Sequence, residues 1–266
     1  MFLDIFQFDF MIRAMVVGAI IAVIAPIIGI FLVVRNYSQL ADTLAHVSLV
    51  GIAIGVLTHS SPILFALGVT IISALGIEYL RSTHKIYGES VLAIFLSGSL
   101  GIATLIISAG RGFSVDLFGF LFGSLTTVTT ADLIMAIGLG ILVLILVGGF
   151  YRELFMISLD EELARVGGIR TRLFSTLLIV LSAVAVTLSM RIIGVLLIGS
   201  LIVIPVISAM QFRKGFLHTM LLAVLFSFVS VVLGIFLSYY ADLASGGTIV
   251  LITLVLFLTS LFFNKK

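Results

Sequence analysis

The sequence predicts an all-α protein that threads a membrane several times. Three observations carry this. Hydrophobic residues make up 62% of the 266 and charged residues only 10%, against roughly a quarter charged in ordinary soluble domains. The mean hydropathy is +1.40. Apolar runs of about 20 residues, the length a helix needs to cross ~30 Å of hydrocarbon, recur along the chain with short polar breaks. These runs consume nearly all of it, so a single transmembrane domain over residues 1–266 is expected, with no soluble domain beside it.

Nine apolar blocks follow in order: about 13–34, 39–57, 61–80, 89–109, 131–150, 172–190, 193–212, 216–240 and 246–263. Ahead of them, MFLDIFQFDF has no basic region and reads as a short interfacial helix, not a cleaved signal. Arg35 and Asn36 end the first block, Pro62 is placed to open the third helix, and Gly246 with Gly247 separates the last two blocks. Nine spans are expected, or eight if one short block is re-entrant. Pro26 and Pro205 lie inside blocks, where they kink helices. Gly51 with Gly55, and Gly98 near Gly101, have the spacing of close helix packing in lipid.

The Lys and Arg distribution sets orientation. Placing the loops at 35–38, 81–88, 151–171 and 213–215 and the C-terminus inside puts eleven of the fourteen basic residues there, leaving Arg13, Arg111 and Arg191 outside. The N-terminus is then outside and the C-terminus cytoplasmic. Basic residues scattered between apolar blocks are a topology signal and give no nucleic-acid surface. The chain has no cysteine, which excludes disulfides and thiolate metal sites.

Two connections are long. Residues 110–130 are apolar and Gly-rich, and a short re-entrant helix is expected there, with its backbone buried in protein or lining a cavity. Residues 151–171 are the most charged stretch. Asp160, Glu161 and Glu162 open a helix and Gly167-Gly168 stops it. That helix is either an ordinary solvated turn or a docking segment for a cytosolic partner.

The chemistry concentrates in RNYSQLADTLAHVSLVGIAIG, residues 35–55, where Asp42 and His46 stand four apart. That spacing stacks them one helical turn apart on one face. Counted at ~1.5 Å per residue from Arg35, they lie about 10 and 16 Å deep. A carboxylate and an imidazole inside lipid need a partner or an aqueous path. Together they suit zinc, and also manganese or iron. One pair supplies two ligands, and two copies across a two-fold axis would supply four. The competing readings are a hydrogen-bonded structural pair and a proton relay. Glu78, Glu89 and Asp132 sit at block ends as interfacial groups. His59 is either an entry contact or a plain interfacial residue, and His84 and His218 are solvated. Asp116 either draws cations to the mouth or starts a helix.

The run LVVRNYSQLADTLAHVSLVGIAIG resembles the signature of the bacterial ABC-3 metal-ion permeases, the membrane subunits of zinc and manganese importers. The resemblance continues through DLFGFLFGSL at 116–125, DEELARVGGI at 160–169 and RIIGVLLIGSLIVIPVISA at 191–209. It implies a type II ABC importer fold and a permease homodimer. It implies cytosolic ATPase subunits docking near Asp160–Gly168, and an extracellular metal-binding protein. It places the transported Zn2+ or Mn2+ at Asp42 and His46, with no tightly bound cofactor, and the chain looks most like the zinc permeases. The sequence has no Gly-rich phosphate loop ending in Lys-Ser/Thr, so ATP hydrolysis would belong to the partner. An ion-coupled secondary transporter is the alternative from another class. An intramembrane metallohydrolase would need a motif such as His-Glu-x-x-His, and none is present.

Overall fold

The structure is a computed structural model that describes residues 7–83, 87–110 and 117–263. Asp4, His84, Lys85, Arg111, Asp116, Lys265 and Lys266, which figure in the expectations above, lie outside the described residues. The elements are α1 (Asp9–Val34), α2 (Gln39–Leu57), α3 (Pro62–Thr83), α4 (Gly88–Ala109), α5 (Leu117–Phe122) and α6 (Thr130–Gly149). They continue with α7 (Tyr151–Leu159), α8 (Glu161–Val166), α9 (Thr171–Ile193), α10 (Ile198–Met210), α11 (Phe216–Ala241) and α12 (Ser245–Phe263). No strand occurs among the described residues.

Eight of these helices are long and apolar enough to cross a bilayer: α1 to α4, α6, α9, α11 and α12. α1, α2 and α9 form the centre, with about two-thirds or more of their apolar windows buried, while α3, α4, α6, α11 and α12 are one-third buried or less. The outer helices turn large side chains outward, such as Ile72, Leu105 and Ile134. An exposed apolar coat of this kind is the surface lipid solvates.

The seventh block, 193–212, behaves differently from a simple span. Its helix, α10, has 13 residues, about 20 Å at 1.5 Å per residue, and falls short of the hydrocarbon thickness. The first part of the block, 194–197, is not helical. Its backbone is satisfied by α5: Val195 N–H donates to Phe120 O at 2.9 Å and Leu196 N–H to Leu121 O at 3.2 Å. The short helix expected within 110–130 is therefore present as α5, and it replaces the hydrogen bonds that the broken span gives up. The count is eight long helices plus one half-length helix.

Glycine makes this crossing possible. Gly123 and Gly194 adopt φ of 81° and 85°, a region costly for residues with a Cβ. A Cβ on Gly123 would overlap Ile192 O, one on Gly194 would overlap Leu121 O, and one on Gly246 would overlap Ile193 O. Three backbones thus meet with no side chain between them. Gly246 and Gly247 do not break the last two blocks apart as expected; they lie in the first turn of α12. The break falls at Asp242, which caps α11 in the left-handed region at φ 52°.

Thr129 and Asp132 form a reciprocal capping box at the start of α6. Asp132 also pairs with Arg191 at 3.3 Å, and Arg191 lies over the Phe120 ring at 5.5 Å and donates to Thr127 O. Arg13 donates to Thr130 at 3.1 Å. Arg13 and Arg191, expected on one side of the membrane, are at one end of the bundle, and Asp132 is there an ion-pair and capping partner.

Candidate metal site

α2 begins where the chain reverses after α1. Arg35 caps α1, and Asn36 takes φ 56°. Asn36 N–H donates to Val33 O at 3.0 Å and Tyr37 N–H to Leu32 O at 2.8 Å, the paired bonds of a Schellman turn. α2 then starts at Gln39, which places Asp42 in its first turn, where the helix dipole favours a negative charge. Because residues 35–38 are a turn and not helix, depth is counted from Gln39. Asp42 lies about 5 Å and His46 about 11 Å along the axis at 1.5 Å per residue, about 5 Å shallower than the sequence count from Arg35.

Between residues 39 and 50 only Gln39, Asp42, His46 and Leu49 are accessible; every other position is buried. The four form one stripe on the helix. It runs beside the accessible face of α10, which carries Gly199, Ser200, Val203 and Ile207. Asp42 lines a recess of about 340 Å³ with Ser38, Gln39, Gly199, Ser200 and Val203. A Cβ on Gly199 would sit 3.5 Å from Asp42 Oδ1, so the missing side chain leaves the carboxylate open toward α10.

Among the described residues no hydrogen bond or ion pair links Asp42 to His46, and neither is held by another side chain. His46 Nδ1 is buried without a hydrogen-bond partner. A structural pair would show such bonds, because buried polar groups are almost always satisfied. No cluster of three or more potential metal-ligating His, Cys, Asp or Glu exists among the described residues, so one chain offers this site a carboxylate and an imidazole. His59, exposed with φ 51° beyond the other end of α2, is remote along the helix from Asp42. His218 and Glu89 are exposed in the first turns of α11 and α4.

A second polar cluster lies at the Arg35 end; from the sequence its arginines read as topology signals, Glu161 as a helix-opening residue and Glu78 as an interfacial group. Glu161 Oε2 accepts from Arg35 Nη2 at 3.0 Å and faces Arg81 at 3.4 Å. Arg81 grips Glu78 with two bonds of 2.9 and 3.0 Å. Ser175 Oγ accepts from Arg35 at 3.2 Å and from Arg81 at 3.0 Å. Burial, then the like charge of Arg81, lowers the Arg35 pKa, while Glu161 and Glu78 raise it. Burial pushes the Tyr37 phenol up to about 12. Glu78 is 3% exposed and is a buried partner of Arg81, not an interfacial charge. Sequence offered one signal for this cluster, opposite charges at the ends of successive spans.

α8 presents its other side to solvent. Asp160 caps it, accepting from Glu162 N and Leu163 N at 2.9 and 3.0 Å, and Gly168 ends it at φ 82°, as the sequence predicted. Leu163 is 65% exposed and Val166 87%, an apolar edge on a charged segment. α7, unforeseen in the sequence, continues from α6 beyond Phe150 and packs Tyr151 and Phe155 against Phe216.

Residues 7–264 match the ABC 3 transport family. The chain belongs to that family. It is 35% identical over 249 residues to a "Probable metal transport system membrane protein" of Treponema pallidum, covering 94% of this chain and 93% of that one. It is 31% identical to the "High-affinity zinc uptake system membrane protein ZnuB" of Haemophilus influenzae, covering 98% and 100%. Identity to the "Manganese transport system membrane protein MntC" of Halalkalibacterium halodurans is 27%, covering 99% and 90%. The fold is similar to that in the structure of PsaBC from Streptococcus pneumoniae in complex with Fab, with a TM-score of 0.87 at 27% identity over 98% of this chain and 94% of that one. The chain is accordingly a multi-pass membrane protein of an ABC transport system.

Proposed function

We propose that the chain is the membrane permease subunit of an ATP-driven importer of divalent metal, with zinc as its cargo. The observation that carries this reading is the stripe on α2. Asp42 and His46 are its only accessible ionisable groups, a turn apart, with no side-chain partner among the described residues. A carboxylate turned to lipid is costly, so this face calls for a cover. A second copy of the chain is the cover that supplies matching chemistry. Two Asp42 and two His46 around the two-fold axis give four donors, the number zinc prefers.

In this reading the Arg35 end is cytoplasmic, the N-terminus is outside and the C-terminus inside. A cytosolic ATPase docks on α8 through Leu163 and Val166, and an extracellular metal-binding protein delivers the ion at the Arg191 end. ATP hydrolysis belongs to the cytosolic ATPase, since the sequence carries no phosphate loop. Metal bound at Asp42 and His46 would leave through the recess toward Gln39.

The relative named for zinc uptake, at 31% identity over 98% of the chain, favours zinc. Manganese is the second reading, supported by the relative named for manganese at 27% identity over 99% of the chain. The donor set alone serves either ion. The test is uptake into vesicles holding the permease with its ATPase and metal-binding protein, with each ion offered separately and together. ATP-dependent zinc uptake that survives excess manganese is the expected result. Uptake that needs no ATPase and collapses with an uncoupler would replace this reading with a secondary transporter.

A further inference from the structure

We infer that Glu161 is a positioning residue that ties the docking helix α8 to the helix carrying Asp42, acting through Arg35. The inference rests on the proposed function, in which α8 receives the ATPase.

Two faces of α8 do different things. Leu163 and Val166 point to solvent. Glu161 turns toward the protein, and its carboxylate meets guanidinium groups from two other elements, Arg35 after α1 and Arg81 near the end of α3. The two arginines are not equivalent. Arg81 has its own carboxylate in Glu78, held by two bonds. Among the described residues Arg35 has one carboxylate partner, Glu161, and one neutral acceptor, Ser175. Its side chain is only 10% exposed, so water replaces Glu161 only in part when it moves. A buried cation follows its counter-ion, because separation leaves an unpaired charge in a poor solvent.

Arg35 also reaches the metal-binding helix through the chain itself. It caps α1, and the two crossed hydrogen bonds at Asn36 and Tyr37 make the next two residues a closed turn. Leu40 N–H then bonds to Tyr37 O at 3.1 Å, and Asp42 stands in the same first turn of α2. From Glu161 to Asp42 the path is one ion pair and one hydrogen-bonded turn. The packing of α8 is against α7 and α9, and α9 packs in turn on α2, so the side-chain path through Arg35 is a polar link that runs beside this packing. A recess of about 230 Å³ bordered by Arg35, Tyr37, Arg81, Ser158 and Glu161 leaves the cluster room to shift.

The experiment uses the complete reconstituted complex and follows zinc uptake and ATP hydrolysis together. E161Q is expected to retain the ATPase subunit through purification and to lower zinc moved per ATP hydrolysed at least tenfold. R35Q is expected to do the same. The double variant R35Q/E161Q should fall no further than either single change, since both remove one link. The charge swap R35E/E161R keeps the cluster net neutral and should recover part of the lost ratio, only part because position 161 also faces Arg81. An unaltered ratio in E161Q, multiplied losses in the double variant, a swap no better than the singles, or loss of the ATPase subunit from E161Q would each overturn the inference. Wild-type complex that hydrolyses ATP without moving either zinc or manganese would instead overturn the transport reading, and this inference with it.

Discussion

Gly199 stands opposite Asp42 with no side chain of its own; a Cβ there would lie 3.5 Å from both Cβ and Oδ1 of the carboxylate side chain. That distance is ordinary van der Waals contact, so an added methyl fits and anything larger competes for the recess. Gly199→Ala should therefore leave folding and zinc uptake close to wild type. Gly199→Val places branched carbon where the ion would pass and should reduce uptake without loss of assembly. Vesicle uptake measured on the same preparations checks both, and wild-type uptake by the valine variant would show that the recess is not on the route.

Asp42→Ala and His46→Ala should each bring metal uptake to background while leaving thermal stability nearly unchanged. The reason is that neither has a side-chain partner among the described residues. Deleting a group that holds nothing strands nothing, whereas deleting one member of a bonded pair leaves the other unsatisfied. Melting of the purified variants alongside uptake separates the cases. A large drop in melting temperature would restore the structural reading of the pair.

Glu78→Ala should behave in the opposite way. Glu78 is nearly inaccessible and takes two bonds from Arg81, so its loss removes the closest counter-charge. Breaking a buried pair costs about 3–5 kcal/mol. Partial exposure of Arg81, and its second carboxylate Glu161, place this case near or below the lower value. A fall in detergent melting temperature with Asp42 and His46 untouched is the expected signature.

Gly29→Ala tests the crossing of α1 over α10. A Cβ on Gly29 would collide with the carbonyl oxygen of Ile202, a backbone atom that cannot rotate away. Overpacking of this type costs about 1–3 kcal/mol or more, and expression yield and melting temperature should both fall. Gly98→Ala, where no atom lies within 4 Å, is the matched control and should change neither.

Tyr37 gives a prediction in pH. Its phenol, held up to about 12 in the folded chain against an ordinary value of 10.0, stays neutral when an unfolded chain would ionise. A raised folded value stabilises fully below the unfolded pKa and loses that contribution as pH rises through the folded one. Stability should thus decline between about pH 10 and 12, and the ultraviolet phenolate signal of Tyr37, isolated by comparison with Tyr37→Phe, should appear only at the top of that window.

Much of the architecture was legible in the sequence because lipid imposes a length and a composition on every span. The α2 stripe was legible too, since Asp42 and His46 are rare groups in an apolar run and their spacing fixes a shared face. The break ahead of α10 was not. RIIGVLLIGS is as apolar as a continuous helix, and what interrupts it is a backbone contact with α5 that hydropathy cannot register. Gly51 and Gly98 make the same point. Both sit in pairs of small residues, yet only Gly51 meets a neighbour, the backbone of Ala66. Spacing names a face and is silent about what lies across from it. The Arg35 cluster escaped for a related reason, because charges at span ends read as orientation signals until the folded chain brings them together.

The meeting of Gly123, Gly194 and Gly246 carries a genetic consequence. Replacement at any of the three puts carbon into another segment's carbonyl, so even the mildest missense change to alanine is a folding lesion. A saturation screen selecting for growth in metal-poor medium should find these codons as intolerant as those for Asp42 and His46, although none of the three touches an ion. In such a screen a hit at one of these glycines marks failed assembly of the protein, and wild-type levels of it in the membrane would be the sign that this assignment is mistaken.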